Sequence, residues 1–122
     1  GIYSARFAGE GATDEKNNAY LLKLMSTASL EERKARFVCV MALAVPGKKT
    51  VVVEGDCEGF IAAKPRGNRG FGYDPLFVFA EKGQAGEGQT FAEMEPERKN
   101  RVSHRGRALE KIKTKLSGFS PV

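Results

Sequence analysis

The sequence predicts an α/β domain in which a mixed sheet carries flanking helices, and three observations predict it. Two strand-like runs, residues 36–45 (RFVCVMALAV) and 50–64 (TVVVEGDCEGFIAAK), are separated by the turn Pro46-Gly47-Lys48-Lys49, the pattern of an antiparallel hairpin. A third apolar run at 76–80 (LFVFA) supplies another strand. Helical patterns gather toward both ends, where apolar residues recur at helical spacing. Strands mixed with helices in this way form packed layers around one core. At 122 residues and 41% hydrophobic composition, the chain has the length of a single domain, 1–122, and enough apolar surface to fold.

Taken in order, residues 1–11 carry three glycines and no helical period. Thr13 or Asp14 can cap a helix whose apolar face is Ala19, Leu22 and Met25, running to about residue 28. Ser29-Leu30-Glu31-Glu32 fits a capping box for one further short turn. The strand at 36–45 is nearly continuous in apolar residues, which predicts burial on both faces. Gly55 and Gly59 inside the second strand predict a bulge or bend. Residues 65–75 form a glycine-rich loop and 81–89 a polar one. Residues 91–94 fit one helical turn, and Pro96 stands at the first position of another. Ser103 is a good N-cap for a last helix over 104–116, with Ala108, Leu109, Ile112 and Leu116 on one face and Gly118 as its stop.

Composition excludes some functions. No apolar run approaches the roughly 18 residues of a membrane span. Two cysteines, Cys39 and Cys57, and one histidine cannot make the usual four-ligand zinc site. Both thiols read as buried and reduced, as in a cytoplasmic protein. A net charge of +5 suits phosphorylated partners without selecting one. Glu54, Asp56 and Glu58 alternate along one strand and share a face, as a metal site or as a solvated surface. His104 has only the capping Ser103 beside it as a nucleophile, which is no triad.

Two stretches carry chemistry. In Gly67-Asn68-Arg69-Gly70-Phe71-Gly72-Tyr73-Asp74-Pro75, the glycines let backbone approach a ligand, and Phe71 and Tyr73 sit on a polar loop. An aromatic ring beside a carboxylate can hold a nucleobase, by stacking and by accepting from ring N–H groups; a plain glycine turn leading into the next strand is the simpler alternative. Arg69-Gly70-Phe71-Gly72 also matches the start of an RNA-recognition signature. Asp74 and Pro75 then break the match where a central strand is required. In the second stretch, Lys99, His104, Arg105 and Arg107 crowd a helix N-terminus that favours anions. A solvated basic helix start is the alternative there. As donors, His104 and Arg105 favour a purine with a carbonyl at position six over adenine, which presents an amino donor.

Gly70-Phe71-Gly72-Tyr73-Asp74-Pro75, followed by Lys99 and Ser103-His104-Arg105-Gly106-Arg107-Ala108-Leu109, closely resembles the Ham1-like family of inosine/xanthosine triphosphate pyrophosphatases. Residues 1–9 (GIYSARFAG), 12–17 (ATDEKN) and Arg36-Phe37 with its strand fit as well. The resemblance implies a Ham1-like fold and a hydrolase that converts ITP, dITP and XTP to the monophosphate and pyrophosphate with Mg²⁺, as a cytoplasmic homodimer. By matching position, Phe71 stacks on the base, Gly72, Tyr73 and Asp74 complete its pocket, Lys99 and Ser103 contact the nucleotide, and His104 and Arg105 read the six-position carbonyl. The family's phosphate loop, its magnesium-binding acid and the stretch with its catalytic base have no match here, and the loop at 84–88 looks longer. The expectation is therefore the C-terminal two-thirds of such an enzyme. It keeps base recognition, holds no metal ligands or catalytic residues, is inactive or very weak alone, and self-associates through exposed edges. The alternative is a non-catalytic nucleotide- or RNA-binding module; nucleic acid and membrane are the less expected partners.

Overall fold

The computed structural model describes residues 4–117. The Gly1-Ile2-Tyr3 part of the resemblance and the Gly118 helix stop lie outside them. The order is a 3-10 turn at Ser4–Arg6, α1 (Asp14–Leu24), a 3-10 turn at Glu31–Arg33, β1 (Lys34–Leu43), β2 (Val51–Ile61), β3 (Phe77–Phe79), α2 (Pro96–Val102) and α3 (His104–Leu116). The three strands lie in the sheet in the order β1-β2-β3. The connection from β1 to β2 is short enough that the pair can only be an antiparallel hairpin, because a parallel pair needs a crossover of about a dozen residues or more. The α/β class with flanking helices is as the sequence predicts.

The chain divides into two compact units, one of Gly1–Ala35 with Glu58–Met94, the other of Arg36–Cys57 with Glu95–Val122. In the first unit the end of β2 pairs antiparallel with β3, Gly59 opposite Phe79 and Ile61 opposite Phe77. A Cβ on Gly59 would stand 2.1 Å from the Val78 carbonyl oxygen, so glycine here permits close strand packing rather than a bulge. The segment after the polar loop runs back beside β3, with a bridge between Val78 and Thr90. Leu76, Phe77, Phe79, Phe91 and Met94 are fully buried, and the Phe77 and Phe91 rings meet at 5.0 Å. Arg33 ties the same unit together: its guanidinium donates to the carbonyls of Met25 and Ala28 beyond the end of α1 and to those of Ile61 and Ala62.

Helix α1 departs from expectation. It ends at Leu24, four residues early, and its outward residues include Ala19, Tyr20 and Leu24. The buried residue of α1 is Asn17, whose amide accepts from the Ala8 N–H and donates to the Ala5 carbonyl, both at 2.9 Å. The helix is anchored by a polar clasp as much as by an apolar stripe. Thr13 caps it, accepting from the Lys16 N–H. The capping box is formed, with Ser29 N–H donating to Glu32 and Glu32 N–H to the Ser29 hydroxyl.

In the second unit, α3 lays Ala108 and Ile112 on Val53, with Cys39, Met41, Leu43 and Val51 packed around them. This corrects the expected burial of β1 on both faces. The strand alternates between exposed and half-buried residues, because α3 covers one face and no layer among the described residues covers the other. Val38, Val40 and Val52 are left exposed there. Gly55 is where helix and strand approach closest: a Cβ would lie 2.3 Å from the His104 carbonyl oxygen and 2.4 Å from the Ala108 nitrogen.

Candidate functional site

The eight predicted site residues fall into two sets of four, one in each unit. Phe71, Gly72, Tyr73 and Asp74 belong to the first. The loop that carries them is held at its base by Arg66, whose backbone N–H donates to the Pro75 carbonyl. The Arg66 guanidinium donates to Glu93 at 2.9 Å, and the Arg66 carbonyl accepts from the Thr90 hydroxyl. The Arg66 guanidinium, helped by the Thr90 N–H, holds the Glu93 carboxyl below the usual carboxylate range. Gly67 and Gly70 have φ of +88° and +76°, a region that glycine enters without strain.

At the tip, the buried Asp74 carboxylate reaches back and accepts from the Phe71 N–H at 3.0 Å. Gly72, at φ +61°, donates its N–H to Asp14 at 2.8 Å and accepts at its carbonyl from the Asn18 amide at 3.1 Å. The Tyr73 hydroxyl donates to the Ser4 carbonyl. Burial pushes the Tyr73 phenol above its ordinary range, and the neighbouring Asp14 charge pushes it further. Phe71 alone of the four side chains is held outward, 56% exposed. A cavity of about 400 Å³ lies beside it, lined among others by Asp14, Asn18, Leu22, Arg69 and Phe71. Residues 70–76 are turns, and β3 starts only at Phe77. The loop is therefore not the central strand on which the RNA-recognition signature depends.

Lys99, Ser103, His104 and Arg105 come together in the second unit, at the joint of α2 and α3. Pro96 opens α2, as predicted. Ser103 ends α2 by donating its N–H to the Lys99 carbonyl at 2.8 Å and starts α3 by accepting at Oγ from the Gly106 N–H at 3.0 Å. It is buried, and its backbone is extended between the two helices. The joint is tight: a Cβ on Gly106 would fall 1.6 Å from the Asn100 carbonyl oxygen. His104 is half-buried and stacks on Phe37 at 4.7 Å between ring centroids, while Arg105 is exposed and Lys99 half-buried. Arg107 serves the scaffold, donating to the Asp56 carbonyl at 2.9 Å.

Asp56 also pairs with Arg36 at 3.6 Å. Among the described residues no group of three or more His, Cys, Asp or Glu is placed to share a metal ion. Glu54, Asp56 and Glu58 thus do not form such a group. No helix among them is long and apolar enough to cross a membrane. Sequence reasoning missed Asp14 and Asn18 as parts of the aromatic loop. Their partner, Gly72, stands 58 and 54 residues away, and only their identity as polar residues four apart hinted at a shared face.

A model of the Ham1 family matches residues 1–115. A dITP/XTP pyrophosphatase of Geobacillus kaustophilus is 49% identical over 112 residues, covering 92% of this chain and 52% of that protein. One from Shouchella clausii is 46% identical over 121 residues, covering 99% of this chain and 59% of that protein. Among solved structures, the Staphylococcus aureus Ham1 protein superposes with a TM-score of 0.85 at 38% identity, over 97% of this chain and 58% of that one. A HAM1 protein from Coxiella burnetii gives 0.83 at 39% identity, over 98% and 59%. The chain spans a little over half the length of the relatives it matches.

Proposed function

This chain belongs to the Ham1 family, and on that premise we propose that it recognises the bases of non-canonical purine nucleotides. ITP, dITP and XTP are the substrates of the lineage, hydrolysed in the cytoplasm to the monophosphate and pyrophosphate. Phe71 stacks on the purine, a contact worth about 1–3 kcal/mol, and Gly72, Tyr73 and Asp74 shape the loop that presents it. Lys99 and Ser103 contact the nucleotide. His104 and Arg105 donate to the carbonyl at position six, where adenine would present a donor of its own. The arginine keeps its proton at any physiological pH and so discriminates without titrating.

The observation that carries this reading is the exposure of Phe71. The residue is 56% exposed at the tip of a loop whose backbone is tied down by hydrogen bonds. An aromatic presented in this way has a ligand's flat face as its natural partner.

Hydrolysis asks for more. Phosphoryl transfer needs charge neutralised on the phosphates and an oriented water, and the described residues bring no acid cluster to that task. The 122-residue chain is therefore proposed to bind without appreciable turnover, and the Mg²⁺ dependence of the lineage to rest on residues other than those described. Pyrophosphate release from XTP and ITP, with Mg²⁺ and with ATP as the control, tests this together with titration by IMP. Binding of IMP without release is expected; release at an ordinary enzymatic rate overturns the inactive reading. Loss of the preference for ITP over ATP in Arg105→Ala supports the assigned donor, whereas tight, salt-steep binding to RNA of any sequence would favour a nucleic-acid module. Self-association, as a homodimer or larger, is proposed through the exposed Val38, Val40 and Val52 face. Sedimentation as a monomer at micromolar concentration would sink it.

A further inference from the structure

We propose that Asp14 and Asn18 are positioning residues that set the direction in which Phe71 is presented, an inference that rests on the base-stacking reading of Phe71. The Phe71 N–H, donated to Asp74 at 3.0 Å, fixes the peptide before Phe71. The Gly72 N–H, donated to Asp14 at 2.8 Å, fixes the peptide after it. The Gly72 carbonyl, accepting from Asn18 at 3.1 Å, fixes the next one. With the planes on both sides of its Cα held, Phe71 has its φ and ψ determined, and only its side-chain torsions remain to be set. Asp14 and Asn18 stand four residues apart, and so share a face of α1.

Two details set this clamp apart from ordinary loop packing. Thr13 already caps α1, so the helix does not need the Asp14 side chain as its cap, and that carboxylate is committed to the loop. Among the described residues, Asn18 Oδ1 is buried with no hydrogen-bond partner, a cost that folded proteins rarely accept without a reason. The reason assigned here is its amide contact to Gly72. The clamp also explains why position 72 is glycine: it turns at φ +61° with nothing within 4 Å of a Cβ, so conformation and not space selects it.

The chain has no tryptophan, so Phe71→Trp places a single reporter at the tip. In that background Asp14→Ala, Asp14→Asn and Asn18→Ala are compared, first without ligand and then in titrations with IMP. Expected without ligand are faster local motion of the reporter by time-resolved anisotropy in Asp14→Ala and Asn18→Ala, and near-parent behaviour in Asp14→Asn, which retains an acceptor for the Gly72 N–H. Expected with IMP are a Kd raised about tenfold in Asp14→Ala, a few-fold in Asn18→Ala, and within twofold of the parent in Asp14→Asn. Parent-like motion and Kd in both alanine variants overturn the clamp, as does equal loss in Asp14→Asn and Asp14→Ala. If Asp14→Ala fails to fold, Asn18→Ala with Asp14→Asn carries the same decision. IMP that leaves the parent reporter unquenched overturns the base reading alone, because the change in motion is measured without ligand.

Discussion

The two units build their candidate residues in opposite ways. In the first, side chains hold the loop's backbone: Asp14 and Asn18 from α1 and Asp74 from the loop itself bond the groups around Phe71 and Gly72. In the second, rigidity comes from contact. Ser103 serves two helices at once, and Gly106 and Gly55 let backbone meet backbone where any Cβ would collide. A loop pinned by hydrogen bonds loses one restraint per substitution and loosens by degrees. A joint set by backbone contact has no partial state, because close-packed interiors cannot absorb an added methyl without shifting.

The largest effect is expected from Gly106→Ala. Its Cβ would sit 1.6 Å from the Asn100 carbonyl oxygen, so α2 and α3 must separate at a cost near the top of the roughly 1–3 kcal/mol typical of overpacking, read as a lowered midpoint in urea unfolding. Gly72→Ala, by contrast, meets no atom within 4 Å and suffers only its φ of +61°, which costs about 1–2 kcal/mol. Equal losses in the two variants would erase the contrast between the units. Ser103→Ala removes the α3 cap and is expected to cost about 1 kcal/mol; Ser103→Thr, which keeps the hydroxyl, sharpens the test by restoring most of it.

The smallest effect is electrostatic. Glu93 is held below its ordinary carboxylate value by Arg66. A depressed folded pKa means that the stabilisation is fully present above the unfolded value of 4.5 and fades as pH falls through the lower folded value. The pair is about a third exposed, so its worth is about 0.2–1 kcal/mol. In Glu93→Gln the stability curve should flatten below the ordinary carboxylate pKa and be nearly unchanged in slope at neutral pH. A slope at acid pH that survives the substitution would place the titrating group elsewhere.

Much of the second set was legible because its causes are local. Ser103 caps a residue three positions on and Pro96 opens α2; of the predicted α3 stripe, Ala108 and Ile112 meet β2, while Leu109 and Leu116 stay exposed. The Ser29–Glu32 box formed for the same reason. The residue types of the aromatic loop were legible, but its construction was not. Nothing in its own residues says that Asp14 and Asn18 hold it, or that Arg66 closes its base through Glu93 and Thr90, and nothing in the apolar run of β1 says that one face stays uncovered.

What the sequence by itself determined, then, is mostly the features whose partners lie within a few residues: caps, turns, the strand runs, and the residue types of the aromatic loop. What only the tertiary structure decided is which distant groups meet. It placed α1 behind Phe71, anchored α1 by Asn17 as well as by its apolar residues, and packed α3 on one side of the hairpin. Local hydrogen bonds and periods are written in neighbouring residues, whereas a contact across 58 positions depends on how the whole chain closes its loops. That choice is made by the summed packing of the core and not by any one segment.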